Sequence, residues 1–484
     1  MNGTAAQRRL RQYQQDAVRF LSARAHALYA ADPGLGKSAV SIIAARTVGA
    51  QRILVIGPAV SRASWPAEWA TWGDPDLRFV TWGSLPYPRH VPTGPVVLFL
   101  TWGEAVNALP ALLAGERWDV LVVDEAHYGK DKSARRTKAL YGRKMDRNGG
   151  LAGASDRVWL LTGTPAPNHY GEVWTHIHAL APHLIPHGNK VSNPGGVKPM
   201  TYIQFLHTVC VVQDTPFGPR IVASRKGKGA WLRETLSGFM LRHRKADVAQ
   251  DLPGMSWVDV PLSIPGAASP HALAEAALEL VGVGELFPVG PSLDARASVA
   301  DGFVKAKALG LADDDSFLAV ARQDDHIAAA RRALGLAKAE PAAAWVKDLL
   351  DSGAKKVIVF AIHRDVIAAL VSSLAPYGCV QVTGDTSAAD RTRAVHEFQH
   401  GGARVFVGQV QAAGTAITLT AASDVVFVEQ SWTPSDNFQA ACRAHRLGQK
   451  DSVVVRVLHA AGTLDERVST VLRRKAADLA EVFG

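Results

Sequence analysis

The sequence predicts an α/β protein of two parallel-sheet lobes with helical insertions, and three observations carry that prediction. From Gln14 to Ala181, apolar runs at 53–57, 96–100, 119–123 and 157–161 are separated by helix-compatible segments, the alternation of a parallel sheet wrapped by helices. The same alternation resumes from Lys356 to Leu458. At 484 residues the chain is too long for one compact core. Two domains are therefore expected: 1–250, with a helical or loop insertion at about 175–250, and 251–484, with a helical insertion at about 268–340.

In the first lobe, ADPGLGKS (31–38) follows the apolar stretch Ala25–Ala30 and precedes the helix-compatible Ala39–Val48. Strand, glycine loop and helix in that order suit a phosphate site. Gly34 and Gly36 let backbone N–H groups approach phosphate oxygens, Lys37 reaches the outer phosphates and the Ser38 hydroxyl can ligate magnesium. Ala31 stands where the generic pattern has its first glycine, and an ordinary glycine turn is the competing reading of the loop alone.

Downstream, WDVLVVDEAH (118–127) places two carboxylates directly after Val120–Val123, an uninterrupted aliphatic run that suits a strand buried on both faces. At the C-terminal end of such a strand, where ligands of open α/β sheets bind, Asp124 would hold magnesium through water and Glu125 would orient or deprotonate an attacking water. An exposed turn is the alternative for an Asp-Glu pair, and its spacing after a phosphate loop weighs against that.

Trp65, Trp69 and Trp72 recur at helical spacing and read mainly as packing. Residues 143–155, with Asn148, Gly149 and Gly150, read as a mobile loop. The stretch 183–230, rich in Gly, Pro, His and Lys, reads as loops with one helix, while 268–340 is alanine-rich and mostly helical. Near the C-terminus, QAACRAHRLGQK (439–450) sets Arg443 and Arg446 three residues apart beside Gln439 and Gln449. Two cations on one helix face with flanking amides suit a polyphosphate, although a solvated basic face is the plainer reading of that helix by itself.

A formal charge of +9 favours a polyanionic partner without choosing among DNA, RNA and an acidic protein. Basic residues gather at Arg8–Arg11, Lys130–Arg147, Arg225–Lys228, Arg242–Lys245 and Arg473–Lys475, beside the motifs above, and read together as a phosphate-tracking groove. Cys210, Cys379 and Cys442 lack paired or metal-ligand spacing and are expected to be reduced thiols. No stretch approaches the roughly 20 apolar residues that span a bilayer, so a soluble protein without a membrane partner is expected.

Taken together these motifs resemble those of superfamily 2 nucleic-acid motors, and more narrowly the Swi/Snf family of ATP-dependent DNA translocases, from about Leu10 to about Val471. The resemblance includes compact annealing-helicase and bacterial or phage members. It implies two RecA-like lobes that use ATP and Mg2+. LRQYQ (10–14) resembles the adenine-reading motif, which puts Gln14 on the base. The phosphate loop matches through Gly34, Leu35, Gly36, Lys37 and Ser38, and the family itself often lacks the first glycine. Residues 53–72 resemble a strand and helix whose loop touches a DNA backbone. LLTGTPAPNHYGEVW (160–174), with Thr162, Gly163, Thr164 and Pro165, resembles the motif that couples hydrolysis to motion.

FMLRHRKADVAQDLP (239–253) resembles a segment that most other helicases lack and is the best single argument for the narrower family. Residues 356–365 and 382–399 resemble the opening of the second lobe, and 419–449 the closing block that carries Gln439, Arg443 and Arg446. Departures are Ala413, Ala416 and Thr418 in place of two glycines and an asparagine, and Thr433 in place of another asparagine. None removes a catalytic group, so coupling or speed is expected to differ while hydrolysis is kept.

The implied catalytic set is Lys37, Asp124, Glu125, Arg443 and Arg446, with Gln14, Gly34–Ser38 and Gln439 on the nucleotide and Ser38 and Asp124 on magnesium. The implied activity is ATP-driven translocation on double-stranded or branched DNA that remodels protein–DNA complexes, forks or junctions. The alternatives are a strand-separating DNA or RNA helicase and, less favoured, a non-hydrolysing nucleotide-gated clamp. A monomer acting on DNA and DNA-bound proteins is expected, in a bacterial or phage-infected cytoplasm, or in a nucleus if the host is eukaryotic.

Overall fold

A computed structural model describes residues 9–264 and 325–476, apart from 60, 188–197, 216–217, 250, 414–416, 447, 461–462, 464, 466–467, 471 and 474. The described residues form two compact units, one up to residue 249 and one from Asp251 onward.

The first unit is a seven-stranded, all-parallel sheet. Its strands are β1 (His26–Ala31), β2 (Arg52–Gly57), β3 (Phe79–Thr81), β4 (Val96–Thr101), β5 (Trp118–Asp124) and β6 (Ser155–Thr162), in the order β3-β4-β2-β5-β6-β1, with a seventh strand from further along the chain at the β1 edge. Every residue of β2 and β4 is buried, as expected of strands covered by helices on both faces. Trp65 and Trp69, on the helix Ser61–Trp72, pack against Phe99 and Phe79.

Two parts of the expected insertion at about 175–250 differ from their sequence reading. Residues 183–230 hold a helix (Tyr202–Val209) and an antiparallel hairpin of β7 (Cys210–Thr215) and β8 (Gly218–Ser224), where only loops and one helix were legible. The chain then returns to the main sheet: β9 (Met240–His243) is the seventh strand, pairing Leu28–Ala31 with Met240–His243.

The loop 143–155 folds back on the preceding helix through backbone hydrogen bonds. Arg147 N donates to Tyr141 O at 2.9 Å, and Leu151 N and Ala152 N donate to Ala139 O and Leu140 O. Gly142, just before the loop, and Gly150 within it allow a close backbone approach. A Cβ on Gly142 would lie 1.9 Å from Asn148 O, and one on Gly150 would lie 2.3 Å from Gly142 N.

The second unit is a six-stranded parallel sheet, β10 (Met255–Leu262), β11 (Val357–Ala361), β12 (Cys379–Val382), β13 (Val405–Gln409), β14 (Asp424–Phe427) and β15 (Val453–Ala460), in the order β10-β15-β14-β11-β13-β12. Alternation along β11 feeds two cores: Val357, Val359 and Ala361 face one side, Ile358 and Phe360 the other. Most of the insertion expected at about 268–340 lies outside the described residues. Its last part belongs to a 27-residue helix, Asp325–Asp351, whose Ala339, Ala342, Ala343, Val346 and Leu350 are buried in the first of those cores.

All three cysteines are free thiols, and burial pushes Cys210 and Cys379 up to about 12, which keeps them protonated and unreactive. No helix among the described residues is long and apolar enough to cross a membrane.

Candidate functional site

The C-terminal ends of β1, β5 and β6 carry most of the residues singled out in sequence. After β1 the chain turns tightly, with Leu35 N donating to Asp32 O at 3.2 Å, and enters the helix Lys37–Thr47. Gly34 and Gly36 have φ of 91° and 80°, so the loop requires the left-handed backbone that glycine adopts freely. Space demands it too: a Cβ on Gly36 would lie 2.5 Å from Gln14 Nε2. Gln14 is buried against the loop, where its Nε2 donates to Leu35 O at 3.1 Å and its Oε1 accepts from Arg11 N. The Tyr13 hydroxyl donates to the same Leu35 carbonyl.

Lys37 and Ser38 open the helix, where backbone N–H groups lack partners one turn back. The Lys37 ammonium donates to Ala31 O at 2.8 Å. Burial lowers its pKa, and the negative charges of Glu125, Asp124 and Asp32 oppose that shift.

Asp124 ends β5 and is buried. Its Oδ2 accepts from the Trp65 indole at 3.0 Å and from Ser61 Oγ at 3.3 Å, while Glu125 N donates to Oδ1. Burial and the adjacent Glu125 raise its pKa to about 6, against the pull of Trp65 and Lys37. Glu125 itself adopts φ 49° and ψ 55°, a left-handed conformation that costs a non-glycine residue about 1–2 kcal/mol.

His127 joins this motif to the next one. Its Nδ1 lies 3.0 Å from Thr162 Oγ1 and 3.4 Å from Glu125 Oε2, and Thr162 Oγ1 in turn accepts from Thr164 N. Beyond that turn, Glu172 accepts from Asn168 N and Nδ2 and pairs with Lys130 at 2.7 Å. Burial would raise the Glu172 carboxyl, but Lys130 and the Asn168 donors hold it at about 2.

Sequence reasoning placed Arg242 and Lys245 in a phosphate-tracking basic cluster, and the structure turns both inward. Arg242 Nη2 pairs with Asp32 Oδ1 at 2.7 Å and Nη1 donates to Gly163 O at 3.2 Å. Lys245 is buried, and its backbone N–H donates to Asp32 Oδ2. Lys132, Arg135, Arg136, Lys138, Arg143 and Lys144 remain exposed on and around the helix Arg135–Tyr141.

In the second unit the helix Pro434–Ala441 ends before the arginines, so Arg443 and Arg446 do not share a helix face as their spacing suggests. The reason is local. Arg443 Nε takes the Gln439 carbonyl at 3.1 Å, and its backbone N–H falls back to Ala440 O, tightening the last turn. Arg443 is 4% exposed, and Arg446 is half-buried with Nη1 donating to Thr418 Oγ1 at 3.0 Å. Thr418, one of the departures from the family pattern, thus supplies a polar contact itself. Gln439 is also buried. Gln449 spends its side chain on backbone, with Nε2 donating to the carbonyls of Thr420, Ala422 and Ala444 and Oε1 accepting from Lys450 N and Asp451 N, so it is a structural clamp.

The first unit therefore gathers Gln14, Gly34–Ser38, Asp124 and Glu125, and the second holds Gln439, Arg443 and Arg446. Residues 13–257 match the SNF2-related domain, and residues 342–448 match the helicase conserved C-terminal domain. The chain is 28% identical over 480 residues to the mouse (Mus musculus) DNA annealing helicase and endonuclease ZRANB3, covering 96% of this chain and 40% of that protein. It is 29% identical over 489 residues to a Caenorhabditis elegans homolog of SWI/SNF-related matrix-associated actin-dependent regulator of chromatin subfamily A-like protein 1, covering 98% of this chain and 62% of that one. The chain thus spans about half the length of these relatives. With the glycine loop, the carboxylate pair and the Thr162–Pro165 turn assembled in one unit and the SNF2-related match extending over half of the sequence, the chain belongs to the SNF2-related family.

Proposed function

We propose that this protein is an ATP-dependent translocase on double-stranded DNA that remodels protein–DNA complexes, forks or junctions without sustained strand separation. One observation carries the reading: Lys37, the buried Asp124, the part-buried Glu125 and the Thr162–Thr164 turn lie at adjacent strand ends, with His127 bridging Glu125 and the turn. A relative named as a DNA annealing helicase and endonuclease supports action on DNA.

Phosphoryl transfer needs positioning and positive charge more than covalent help. In this reading Gln14 and Gln439 contact the nucleotide, the N–H groups of Gly34–Ser38 cradle its phosphates and Lys37 holds the outer one. Glu125 orients the attacking water. Ser38 and Asp124 offer hard oxygen donors, and burial with the neighbouring Glu125 disfavours the charged Asp124 carboxylate, which a bound cation would stabilise, so the pair fits Mg2+. Those two residues would hold the ion, which supplies charge neutralisation on the phosphate oxygens. Arg443 and Arg446 add positive charge as the transition state forms, an effect worth about a thousandfold or more in rate.

The exposed cations around the helix Arg135–Tyr141 supply phosphate contacts to DNA. The protein acts as a monomer, in a bacterial or phage-infected cytoplasm or in a nucleus. Phosphate release with single-stranded, duplex and forked DNA and with RNA tests the reading, alongside triplex and strand displacement. Duplex or forked DNA should stimulate turnover at least about tenfold, and triplexes should be displaced while duplexes stay paired. Equal turnover with and without every nucleic acid would overturn it.

A further inference from the structure

The segment 239–253 resembles one that most other helicases lack, yet none of its residues has a role in the reading above. Within it, Met240–His243 form β9 at the edge of the first unit's sheet. β9 pairs with β1 in register, Asp32 N donates to His243 O at 3.1 Å, and the His243 ring lies edge-on to Tyr13 and Tyr29 with its Nδ1 3.2 Å from the Tyr29 hydroxyl. On this support stands Arg242, 21% exposed at its side chain. One arm of its guanidinium pairs with Asp32 at the start of the phosphate loop, and the other donates to the carbonyl of Gly163 in the coupling turn. The two segments it spans are already close, because a Cβ on Gly163 would lie 3.3 Å from Pro33 Cδ.

We infer that Arg242 is a positioning residue: its planar fork fixes the phosphate loop against the Gly163 turn, so that the phosphate-binding and water-orienting walls of the site move as one piece with β9. This rests on the proposed ATPase reading. Three features support it over a merely structural ion pair. The two arms reach different motifs, not two atoms of one carboxylate. The Gly163 turn continues through Thr162 and His127 to Glu125, so Arg242 sits at one end of a contact chain whose other end orients water. Asp32 is bound twice more by the same segment, through Lys245 N and His243 O, so the loop stays docked when the guanidinium alone is altered. A lysine keeps the charge beside Asp32 but lacks the rigid fork that spans both partners.

The test compares Arg242→Lys, Arg242→Ala and wild type for DNA-stimulated kcat, KM for ATP, binding of a fluorescent ATP analogue and thermal melting. Arg242→Lys should lower kcat by about thirtyfold with KM and analogue binding within about threefold, because the phosphate loop stays docked while the Gly163 arm is lost. Arg242→Ala should lower kcat further and weaken analogue binding about tenfold or more. Two outcomes overturn the inference: a Lys variant with kcat within about twofold of wild type, showing that charge alone suffices, or Lys and Ala variants that lose analogue binding to the same extent, showing plain loop disruption. If either variant melts well below wild type, Asp32→Asn, whose single oxygen can keep the Lys245 N–H bond while the ion pair to Arg242 is lost, takes its place and must also lower kcat more than it weakens binding. Wild-type protein that binds the analogue but gains no turnover on DNA would remove the proposed function. The positional inference would then be decided by analogue binding alone, weakened by Ala and spared by Lys.

Discussion

The indole N–H of Trp65 donates to Oδ2 of Asp124 at 3.0 Å, so a helix whose tryptophans read as packing also holds one oxygen of the buried carboxylate.

Trp65→Phe keeps an aromatic body against Phe99 and removes that donor. Burial and Glu125 push Asp124 up while the Trp65 bond pulls it down, so its pKa should rise above about 6. In the metal-free protein the Asp124 carboxyl should titrate at higher pH in Trp65→Phe than in wild type, read from its carboxyl carbon resonance. An unmoved titration would release Trp65 from any role in tuning the carboxylate.

Glu172 gives a stability prediction with a defined sign. Its folded pKa of about 2 lies below the ordinary value of 4.5, so the native state binds the proton less tightly than the unfolded chain. The stabilisation is present above about pH 4.5 and fades as pH falls toward 2. Glu172→Gln leaves Lys130 with a neutral partner and should cost about 2–3 kcal/mol at pH 7. Denaturant titrations between pH 7 and about 3.5 should show the gap to wild type narrowing with acid; a constant gap would exclude the ion pair as its source.

The two arginines of the second unit should respond differently to substitution. Arg446, half-buried and held by the Thr418 hydroxyl, can be truncated at little structural cost. Arg446→Ala should retain ATP binding and lose about a thousandfold in DNA-stimulated turnover. Arg443→Ala should also lose turnover but destabilise the protein by about 1–2 kcal/mol, because its Nε satisfies the Gln439 carbonyl in a buried turn. Unchanged turnover in Arg446→Ala would refute its assignment as a transition-state cation.

DNA affinity should fall steeply with salt, each neutralised phosphate adding about −0.9 to the log–log slope on duplex. Arg135→Ala and Lys138→Ala, both on the exposed helix face, should each make that slope shallower by about one unit with little effect on melting temperature. A flat salt response of the wild type would exclude backbone tracking.

Local motifs were the legible part of this chain. Gly34, Gly36 and Lys37 declare themselves because turn, phosphate approach and helix start are written within five residues, and Asp124 because its strand is uniformly aliphatic. Arg242 looked like one more surface cation, since its partner Asp32 is 210 residues away and only the return of β9 to the sheet brings them together. Helical spacing misplaced Arg443 and Arg446 because periodicity carries no sign of a side chain competing for its own helix's carbonyl. Glycine content at 143–155 likewise gave no sign that Gly150 lets backbone pack on backbone.

The left-handed backbone at Glu125 means that the residue most comfortable there is not the one the chain carries. Glycine would relieve about 1 kcal/mol of conformational penalty, partly offset by its freer unfolded chain, and would erase the carboxylate. A screen scored on heat resistance and one scored on fuel consumption should therefore pull this position toward opposite answers, and the wild-type choice records which of the two the molecule serves.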